Sequence, residues 1–466
     1  MLSGIARSSV PGIEWPVVPD AAGAMVLAMA WQLDQTQWWS AERLRAHQLV
    51  QLRRILAHAA ATTPYYADAF AAAGVRVPDA TASSPLDEAE LARVPILTRH
   101  GLIDAGARLL SRSYPVQHGP APETFSSRST GEPVRVRVPG LVTMFWNALT
   151  LRDHTWHRRD LTASLAVIRH TGDEAPPPDG VRGRGWGPAT ADLAPDAPVS
   201  VLSVASTTEQ QVAWLLREDP AYLLVYPTVL GAIVRRLAAT GARLPSLRQV
   251  RTISEAVSVD TRALCQDVLG VPLVDTYSAQ ECGYIALQCP EHPHYHVQAE
   301  RLLVEILDER GAPCGPGQIG RVVITDLHNF ATPLVRYELG DYAEVGAPCP
   351  CGRGLPVLTR IVGRRRGMLV YPDGRTLWPA FTIACRAAAP YRELQLVQDT
   401  VDTLRLRVVP VAETPLTDGH RAALTAALHA TLGRDFTISI EVVDELGRSP
   451  AGKLEEFVSR VAPVAG

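Results

Sequence analysis

Apolar and polar positions along this chain follow helical and strand periods in a definite order. In residues 41–61 the apolar side chains fall mainly on one helical face, which predicts a helix that Thr63-Pro64 ends. Residues 200–280 then alternate between short apolar runs and helical patterns. Strands are predicted at 222–225, 248–253 and 271–276, and helices at 229–237 and 261–268. This alternation is typical of a parallel α/β sheet.

The second half of the chain changes pattern twice. Residues 301–345 alternate strands and turns. Residues 368–443 predict a hairpin, a helix, two strands, a second helix at 418–432 and a last strand. We therefore expect an α/β protein with two domains. A large N-terminal domain (1–364) carries parallel α/β sheets and a β-rich part around 282–360, and a small mobile α+β domain covers 365–466. The Gly- and Pro-rich residues 173–197 predict a loop or lid without a nucleotide role.

Composition narrows the class of protein. The chain has 466 residues, 47% of them apolar and 20% charged, and its net charge is −3. This balance is typical of a soluble globular protein and argues against a generic nucleic-acid binder. We find no apolar run near the ~20 residues of a membrane span. Residues 21–31 are apolar but follow Glu14 and Asp20, which makes a poor signal peptide. We expect a cytoplasmic protein with no membrane or nucleic-acid partner.

The seven cysteines raise the question of a metal site, because an odd count in a long chain disfavours a disulfide framework. A C-x2-H pair and a C-x-C pair together supply four ligands that suit tetrahedral Zn²⁺. These ligands are Cys289, His292, Cys349 and Cys351. His294 and His296 compete for the histidine position, and Cys282 is a further substitute. The site is expected to be structural. The alternative is a set of free thiols beside a loop histidine cluster.

Nearly all the basic residues of this chain are arginines. The 45 basic residues include a single lysine, Lys453, in the segment RSPAGK. Arginine is planar and always charged, whereas lysine presents a compact charge on a flexible stem. The composition and the setting of Lys453 together favour a chemical role over a leftover solvated residue.

Several motifs occur in one order along the chain. Residues 126–133 (SSRSTGEP) form a hydroxyl-rich turn, which suits an anion such as phosphate. They are followed by SEA, YSAQE at the end of a strand, VRYELGD, CPCGRGLP, IVGR and RSPAGK. With LRRILAHAAATTPYYADAFAAAGV near the N-terminus, this ordered set resembles the phenylacetate–coenzyme A ligase branch of the adenylate-forming enzymes. The resemblance covers nearly the whole chain.

The resemblance implies a role for each matching residue. Glu255 belongs to the ATP site, Tyr277 flanks adenine, and Glu281 holds Mg²⁺ beside the phosphates. Asp341 binds the ribose hydroxyls, with Arg364 nearby. Without the resemblance, Asp341 is read as a solvated turn residue and Arg364 as a surface cation. The residues implied to line the ATP phosphates are Ser126, Ser127, Ser129, Thr130 and Gly131.

The implied reaction is ATP-dependent activation of a carboxylic acid, aromatic or apolar, as an acyl-adenylate, followed by transfer to coenzyme A. Lys453 reaches the acyl carboxylate and the α-phosphate, and the C-terminal domain rotates about residues 364–367 to remove it. Arginines 364–366, with Arg360, offer a positive field for the phosphates of coenzyme A. A homodimer is also implied.

Two other functions stay open. The acyl group could pass to an amine, a hydroxyl or a carrier-protein thiol, or the chain could be a non-catalytic homologue. Departures from the family pattern motivate both: Arg128 stands for a glycine, Glu132 for a lysine, and Gln280 for a serine or threonine. Arginines 365 and 366 replace a common acidic hinge residue. Retention of Lys453 argues against a non-catalytic protein.

Overall fold

The computed structural model describes residues 8–82, 84–125, 134–172, 179–364, 367–379, 381, 383–411, 414–447 and 454–461. The chain divides into two compact units. The first comprises Met1–Val167, Val181–Val201 and Val274–Ile361, and the second comprises Ile168–Gly180, Leu202–Leu273 and Val362–Gly466. Parallel and antiparallel strands occur together with helices, so the expected α/β class is confirmed. The boundary expected after residue 364 stays a prediction.

Several helices begin after a residue whose side chain caps the first turn. Ser40 accepts a hydrogen bond from the backbone N–H of Arg43, and Thr417 accepts one from that of His420. The α-helices of the described ranges are α1 (Ala21–Thr36), α2 (Ala41–Thr62), α3 (Pro64–Ala72), α4 (Glu88–Arg93), α5 (Arg99–Ala105), α6 (Gly140–Trp156), α7 (Thr208–Glu218), α8 (Pro227–Thr240), α9 (Val259–Leu269), α10 (Ile383–Ala387) and α11 (Asp418–Leu432).

The strands carry the motifs and the buried apolar side chains. In chain order they are β1 (Glu123–Phe125), β2 (Arg135–Arg137), β3 (Leu165–Arg169), β4 (Val181–Arg184), β5 (Pro198–Ser203), β6 (Tyr222–Val225), β7 (Gln249–Ile253), β8 (Leu273–Ala279), β9 (Gly283–Gln288), β10 (Tyr295–Val297), β11 (Leu302–Leu307), β12 (Ile319–Asp326), β13 (Tyr337–Val345), β14 (Val357–Arg364), β15 (Leu369–Val370), β16 (Thr376–Leu377), β17 (Tyr391–Gln398), β18 (Thr403–Pro410), β19 (Thr437–Val442) and β20 (Phe457–Ser459).

In the first unit, neighbouring strands are hydrogen-bonded in the order β11-β12-β13-β14-β10-β9-β8. β8, β9 and β10 form consecutive antiparallel pairs, as do β11, β12 and β13. The core between this sheet and helices α2 and α3 contains Ile55, Tyr66, Ile285 and Tyr337, each at most 1% exposed. The β-rich pattern expected after residue 301 is therefore present.

In the second unit, β6 and β7 pair in parallel, and each is followed by a helix. This matches the strand–helix alternation expected for residues 222–268. The C-terminal part has a four-stranded sheet in the order β19-β18-β17-β20. Leu396 and Leu406 of this sheet pack in one core with Leu424 and Leu428 of α11. β20 was not expected from the sequence; it pairs in parallel with β17.

The segment expected to be a loop or lid contains regular structure, so that expectation is corrected. Residues 181–184 form β4, which pairs antiparallel with β5, and Pro188–Thr190 form a 3₁₀ helix. β4 has the sequence VRGR and is exposed at every position, so it carries no burial pattern that sequence reasoning could detect.

Among the helices of the described ranges, none is both long and apolar enough to cross a membrane.

Candidate active site

Two expected parts of the site fall outside the described residues. They are Lys453 and the phosphate-loop residues Ser126, Ser127, Ser129, Thr130 and Gly131, together with Arg128 and Glu132. The strands on either side of residues 126–133, β1 and β2, pair antiparallel with Phe125 opposite Arg135. β2 is fixed at Arg137, whose N–H donates to Thr332 Oγ1 (2.9 Å) and whose carbonyl accepts from Asn329 Nδ2 (3.0 Å). The base of the expected phosphate loop is thus joined to the turn before VRYELGD.

Glu281, the expected magnesium ligand, is buried beside a hydroxyl and a guanidinium. Its side chain is 7% exposed, and Tyr337 donates its hydroxyl to Glu281 Oε1 at 3.3 Å. Arg99 Nη1 lies 3.8 Å from the same oxygen. Arg99 is placed there because Leu97 pairs with Tyr337 beside β13, and α5 begins two residues later. One carboxylate oxygen therefore has both a fixed donor and a nearby positive charge.

Asp341, the expected ribose ligand, is held by the tyrosine of the other motif. Tyr277 donates its hydroxyl to Asp341 Oδ2 at 2.9 Å, and both side chains are buried. Along the sheet, β8 and β13 are four strand spacings apart, which is about 19 Å in a flat sheet. The hydrogen bond shows that the sheet curls until these two strands face each other. The structure thus brings Tyr277, Glu281 and Asp341 together in the first unit.

Glu281 offers one ligand of the type that binds a magnesium ion. Mg²⁺ prefers oxygen ligands and is commonly bound through one or two carboxylates together with substrate phosphates. Glu281 supplies a carboxylate, and the strands flanking the phosphate loop are tied to the same unit. The residues therefore suit an ion that the nucleotide would bring with it.

Glu255 lies in the second unit, where it meets the N-terminus of α8. Its Oε2 accepts a hydrogen bond from the N–H of Thr228 at 3.0 Å, in the first turn of that helix. A carboxylate at this position is stabilised by the unpaired N–H groups and the helix dipole. The preceding residue, Ser254, has a φ of 75°, in the left-handed region that non-glycine residues seldom occupy. Such backbone strain is common at ligand sites.

Arg364 ends β14, also in the second unit. Its carbonyl accepts a hydrogen bond from Trp378 Nε1 at 3.3 Å. The next two residues, Arg365 and Arg366, lie outside the described ranges. The role expected for Arg364 near the ribose stays a prediction.

A separate cluster of potential metal ligands lies in the first unit. The ligand atoms of Cys289, His296, Cys349 and Cys351 all lie within 4.8 Å of one another. Two separations are 3.9 Å (Cys289 Sγ to Cys349 Sγ) and 3.4 Å (Cys351 Sγ to His296 Nε2). Zn–S bonds of about 2.3 Å and Zn–N bonds of about 2.0 Å place tetrahedral ligands roughly 3.8 Å and 3.5 Å apart. The cluster has the dimensions of a zinc site.

The histidine of this cluster is His296, so the expected ligand set is corrected at that position. His296 is in the middle of β10 and pairs with Leu287 of β9 and with Val357 of β14. His292 lies in the turn between β9 and β10, where its ring stacks on that of His294. Spacing along the chain favoured His292, but the strand register directs His296 toward the cysteines. Cys282, the other substitute, is not part of the cluster.

Three of the four ligands are buried and Cys351 is half-buried, and burial shifts the pKa values of His296 and Cys349. Burial lowers the pKa of His296 to about 4, so its imidazole is neutral, as a metal ligand must be. Burial raises the pKa of Cys349 to about 12, so metal binding there must release a proton. Arg353 lies between the rings of Trp38 and Trp156, with its guanidinium 4.7 and 4.8 Å from their centroids. It also donates to Gln37 Oε1 at 3.0 Å.

Sequence reasoning missed two residues that contact the expected site, Arg99 and Tyr337. Arg99 carries no motif of its own and could not have been found. Tyr337 could have been, because YSAQE and YELGD share one spacing: each has a tyrosine four positions before its acidic residue.

Comparisons with known proteins agree with the motif-based resemblance. No family model matches the chain. It is 25% identical to a phenylacetate–coenzyme A ligase of Pseudomonas putida over 359 residues, covering 72% of this chain and 74% of the relative. It is 27% identical to that of Aromatoleum evansii over 394 residues, covering 79% and 82%. A crystal structure of 2-hydroxyisobutyryl-CoA ligase in the postadenylation state, in complex with 2-HIB-AMP, matches with a TM-score of 0.67 at 17% identity, covering 88% of both chains. The chain therefore has the fold of an adenylate-forming CoA ligase and, as its motifs indicated, is similar over most of its length to the phenylacetate–coenzyme A ligase branch.

Proposed function

We propose that this chain is an AMP-forming acid–coenzyme A ligase. The observation that carries the proposal is the meeting of Tyr277, Glu281 and Asp341 in one buried site. They come from two motifs more than fifty residues apart. Contacts to adenine, magnesium and ribose are the roles that the motif resemblance implies for these three residues.

The reaction has two steps. A carboxylate oxygen of the acid attacks the α-phosphorus of ATP, the bond to the pyrophosphate breaks, and an acyl-adenylate forms. The thiolate of coenzyme A then attacks the acyl carbon, and AMP leaves as the thioester forms. The same 2-hydroxyisobutyryl-CoA ligase is also known in a thioesterification state, in complex with 2-HIB-AMP and CoA (TM-score 0.57, 17% identity). The acid is proposed to be aromatic or apolar.

Each part of the site answers one physical need of the first step. A carboxylate that approaches a phosphate meets like-charge repulsion, so the site must supply positive charge and N–H donors. We assign the donors to Ser126, Ser127, Ser129, Thr130 and Gly131, and the positive charge to Lys453. Mg²⁺, held by Glu281 beside the phosphates, would offset their charge. Asp341 is proposed to hold the ribose, with Glu255 and Arg364 as further nucleotide contacts.

The test is pyrophosphate release from ATP in the presence of Mg²⁺ and a panel of aromatic and aliphatic carboxylic acids. We expect release that depends on one class of acid, with an acyl-adenylate trapped by hydroxylamine. Coenzyme A should then accelerate AMP release and yield a thioester. No pyrophosphate with any acid, from a protein that also fails to bind ATP, would identify a non-catalytic homologue.

The acceptor is tested separately with a confirmed acid. Coenzyme A, biological amines and a carrier protein are offered one at a time. An adenylate that forms normally but transfers to an amine or a carrier protein, and not to coenzyme A, would assign the alternative function and contradict the thiol step alone.

We further propose that Cys289, His296, Cys349 and Cys351 hold one structural Zn²⁺. Four protein ligands fill a tetrahedral shell, so no position is left for a substrate. β9 begins after the turn that contains Glu281 and ends just before Cys289. The ion would therefore fix the end of β9 that is farther from Glu281. Elemental analysis of protein purified without chelator should find one zinc per chain.

A homodimer and a cytoplasmic location, both expected from the sequence, remain part of this proposal. Light scattering during size-exclusion chromatography tests the first, and cell fractionation tests the second.

A further inference from the structure

The two acidic motifs exchange hydrogen bonds in a crossed arrangement. YSAQE contributes Tyr277 and Glu281, and YELGD contributes Tyr337 and Asp341. Tyr277 donates to the acid of the second motif, Asp341, at 2.9 Å. Tyr337 donates to the acid of the first, Glu281, at 3.3 Å. Each motif therefore holds the carboxylate of the other.

All four side chains are buried. Tyr337 is 0% exposed, and Glu281, Tyr277 and Asp341 are 7%, 8% and 9% exposed. The hydroxyl of Tyr337 donates to the Glu281 carboxylate, because an ionised carboxylate offers only acceptor atoms. Loss of such a donor leaves an acceptor position of a buried carboxylate unfilled, which costs free energy and permits a change in the orientation of the carboxylate.

We infer that this crossed pair positions the two carboxylates for different parts of the nucleotide. Tyr277 orients Asp341 toward the ribose hydroxyls, and Tyr337 orients Glu281 toward the magnesium ion. The inference rests on the proposed function, and both tyrosines act as positioning residues. It follows that sugar recognition and metal recognition depend on opposite motifs: the tyrosine of YSAQE serves the sugar, and that of YELGD serves the metal.

The experiment compares Tyr277→Phe and Tyr337→Phe in the full-length protein. The first readout is binding of ATP relative to 2′-deoxy-ATP and 3′-deoxy-ATP, measured by calorimetry at saturating Mg²⁺. The second is the Mg²⁺ concentration that gives half-maximal ATP binding. Neither readout requires turnover.

We expect Tyr277→Phe to reduce the preference for the intact ribose about 10-fold, with an unchanged Mg²⁺ midpoint. We expect Tyr337→Phe to raise the Mg²⁺ midpoint about 10-fold, with an unchanged sugar preference. These sizes correspond to losing one hydrogen bond to a charged group. The matched control is Tyr342→Phe. This buried tyrosine also lies on β13 and donates to a carboxylate, Glu309 Oε1 at 2.8 Å, outside the site. It should change neither readout.

A shift of both readouts by either variant, or of neither, would overturn the inference. So would a wild-type protein that binds ATP without preference for the ribose hydroxyls or dependence on Mg²⁺. A wild-type protein that binds no ATP would instead contradict the proposed function. If Tyr337→Phe fails to fold, Tyr277→Phe is combined with Asp341→Asn. The inference then requires that Tyr277→Phe has no further effect on sugar preference once Asp341 is changed.

Discussion

The candidate active site and the Cys/His cluster each bring together residues that are about sixty positions apart in the chain, but the side chains that meet differ in chemistry. Tyr277 meets Asp341 across 64 residues, and Cys289 meets Cys349 across 60. In the active site the partners complement each other, because hydroxyls donate to carboxylates. In the cluster, thiols and a neutral imidazole have little to offer one another at 3.4–3.9 Å. The proposed zinc ion would supply the bonds that these four side chains do not make to one another, whereas the crossed pair is held by its own hydrogen bonds.

The largest effect is expected from substitution of Lys453, and it is expected in the rate of adenylation. Lys453→Ala should slow adenylation by about 10³-fold, because a charge placed at the developing transition state is lost. ATP binding should stay within a few-fold of wild type, since the crossed pair is intact. Lys453→Arg should also be badly impaired, because a planar fork does not reproduce a point charge between two oxygens. Pyrophosphate release by Lys453→Ala at the wild-type rate would remove this assignment.

The second largest effect is expected in the Cys/His cluster, from removal of one proposed zinc ligand. Cys351→Ser should lower the free energy of unfolding by more than about 4 kcal/mol, because zinc affinity contributes directly to folding. The control is Cys314→Ser, a half-buried cysteine outside the cluster, which should cost less than about 1 kcal/mol. Chemical unfolding with and without chelator checks both. Equal stability of Cys351→Ser and wild type, with no zinc released from either, would contradict the structural role.

The third effect is expected from a substitution in β9, the strand that connects the candidate active site to the Cys/His cluster. Gly283 begins β9 at a φ of 79°, and an added Cβ would lie 2.3 Å from Arg301 Nη1 and 3.1 Å from Trp146 Cε3. Gly283→Ala should therefore cost on the order of 3 kcal/mol from backbone strain and crowding together. Gly311→Ala is matched in backbone angle, with a φ of 83°, but has open space around it. It should cost only about 1 kcal/mol. Similar losses in the two variants would show that crowding at Gly283 is absent.

The smallest effect is expected in the pH dependence of the unfolding free energy, through His328. Burial lowers the pKa of His328 to about 4, against the opposing effect of Asp326, while Arg301 and His118 lower it further. Its folded pKa lies below the unfolded value of 6.5, so its contribution is complete above pH 6.5 and is lost as the pH falls toward 4. Between pH 7 and 5 this loss is about 2 kcal/mol.

The variant His328→Gln should show a correspondingly smaller drop in unfolding free energy between pH 7 and 5. His100→Gln changes a histidine whose side chain is 86% exposed and should leave the pH dependence as in wild type. An identical acid response in wild type and His328→Gln would mean that His328 is not held neutral by the fold.

Local pattern determined much of the fold. The sequence predicted β6 at residues 222–225 and α11 at residues 418–432 with the same bounds as the structure. β6 is a continuous apolar run, and α11 has helical periodicity and a capping residue, Thr417. β4 was missed because its four residues are all exposed and carry no apolar signal. Pairing with β5, and not its own composition, makes it a strand.

By itself, the sequence determined which residue types are available and in what order: the acids Glu281 and Asp341, the cysteine pairs, and the lone Lys453. For the acids and the cysteines, only the tertiary structure decided the partners. His296 and not His292 lies with the cysteines because His296 is in β10, where it pairs with β9 and β14, whereas His292 lies in the turn before that strand. The crossed contacts of Tyr277 and Tyr337 depend on the curl of a sheet in which β8 and β13 are four strands apart. Spacing along the chain predicts neither the strand register nor the curl of the sheet, because both arise from contacts between segments about sixty residues apart.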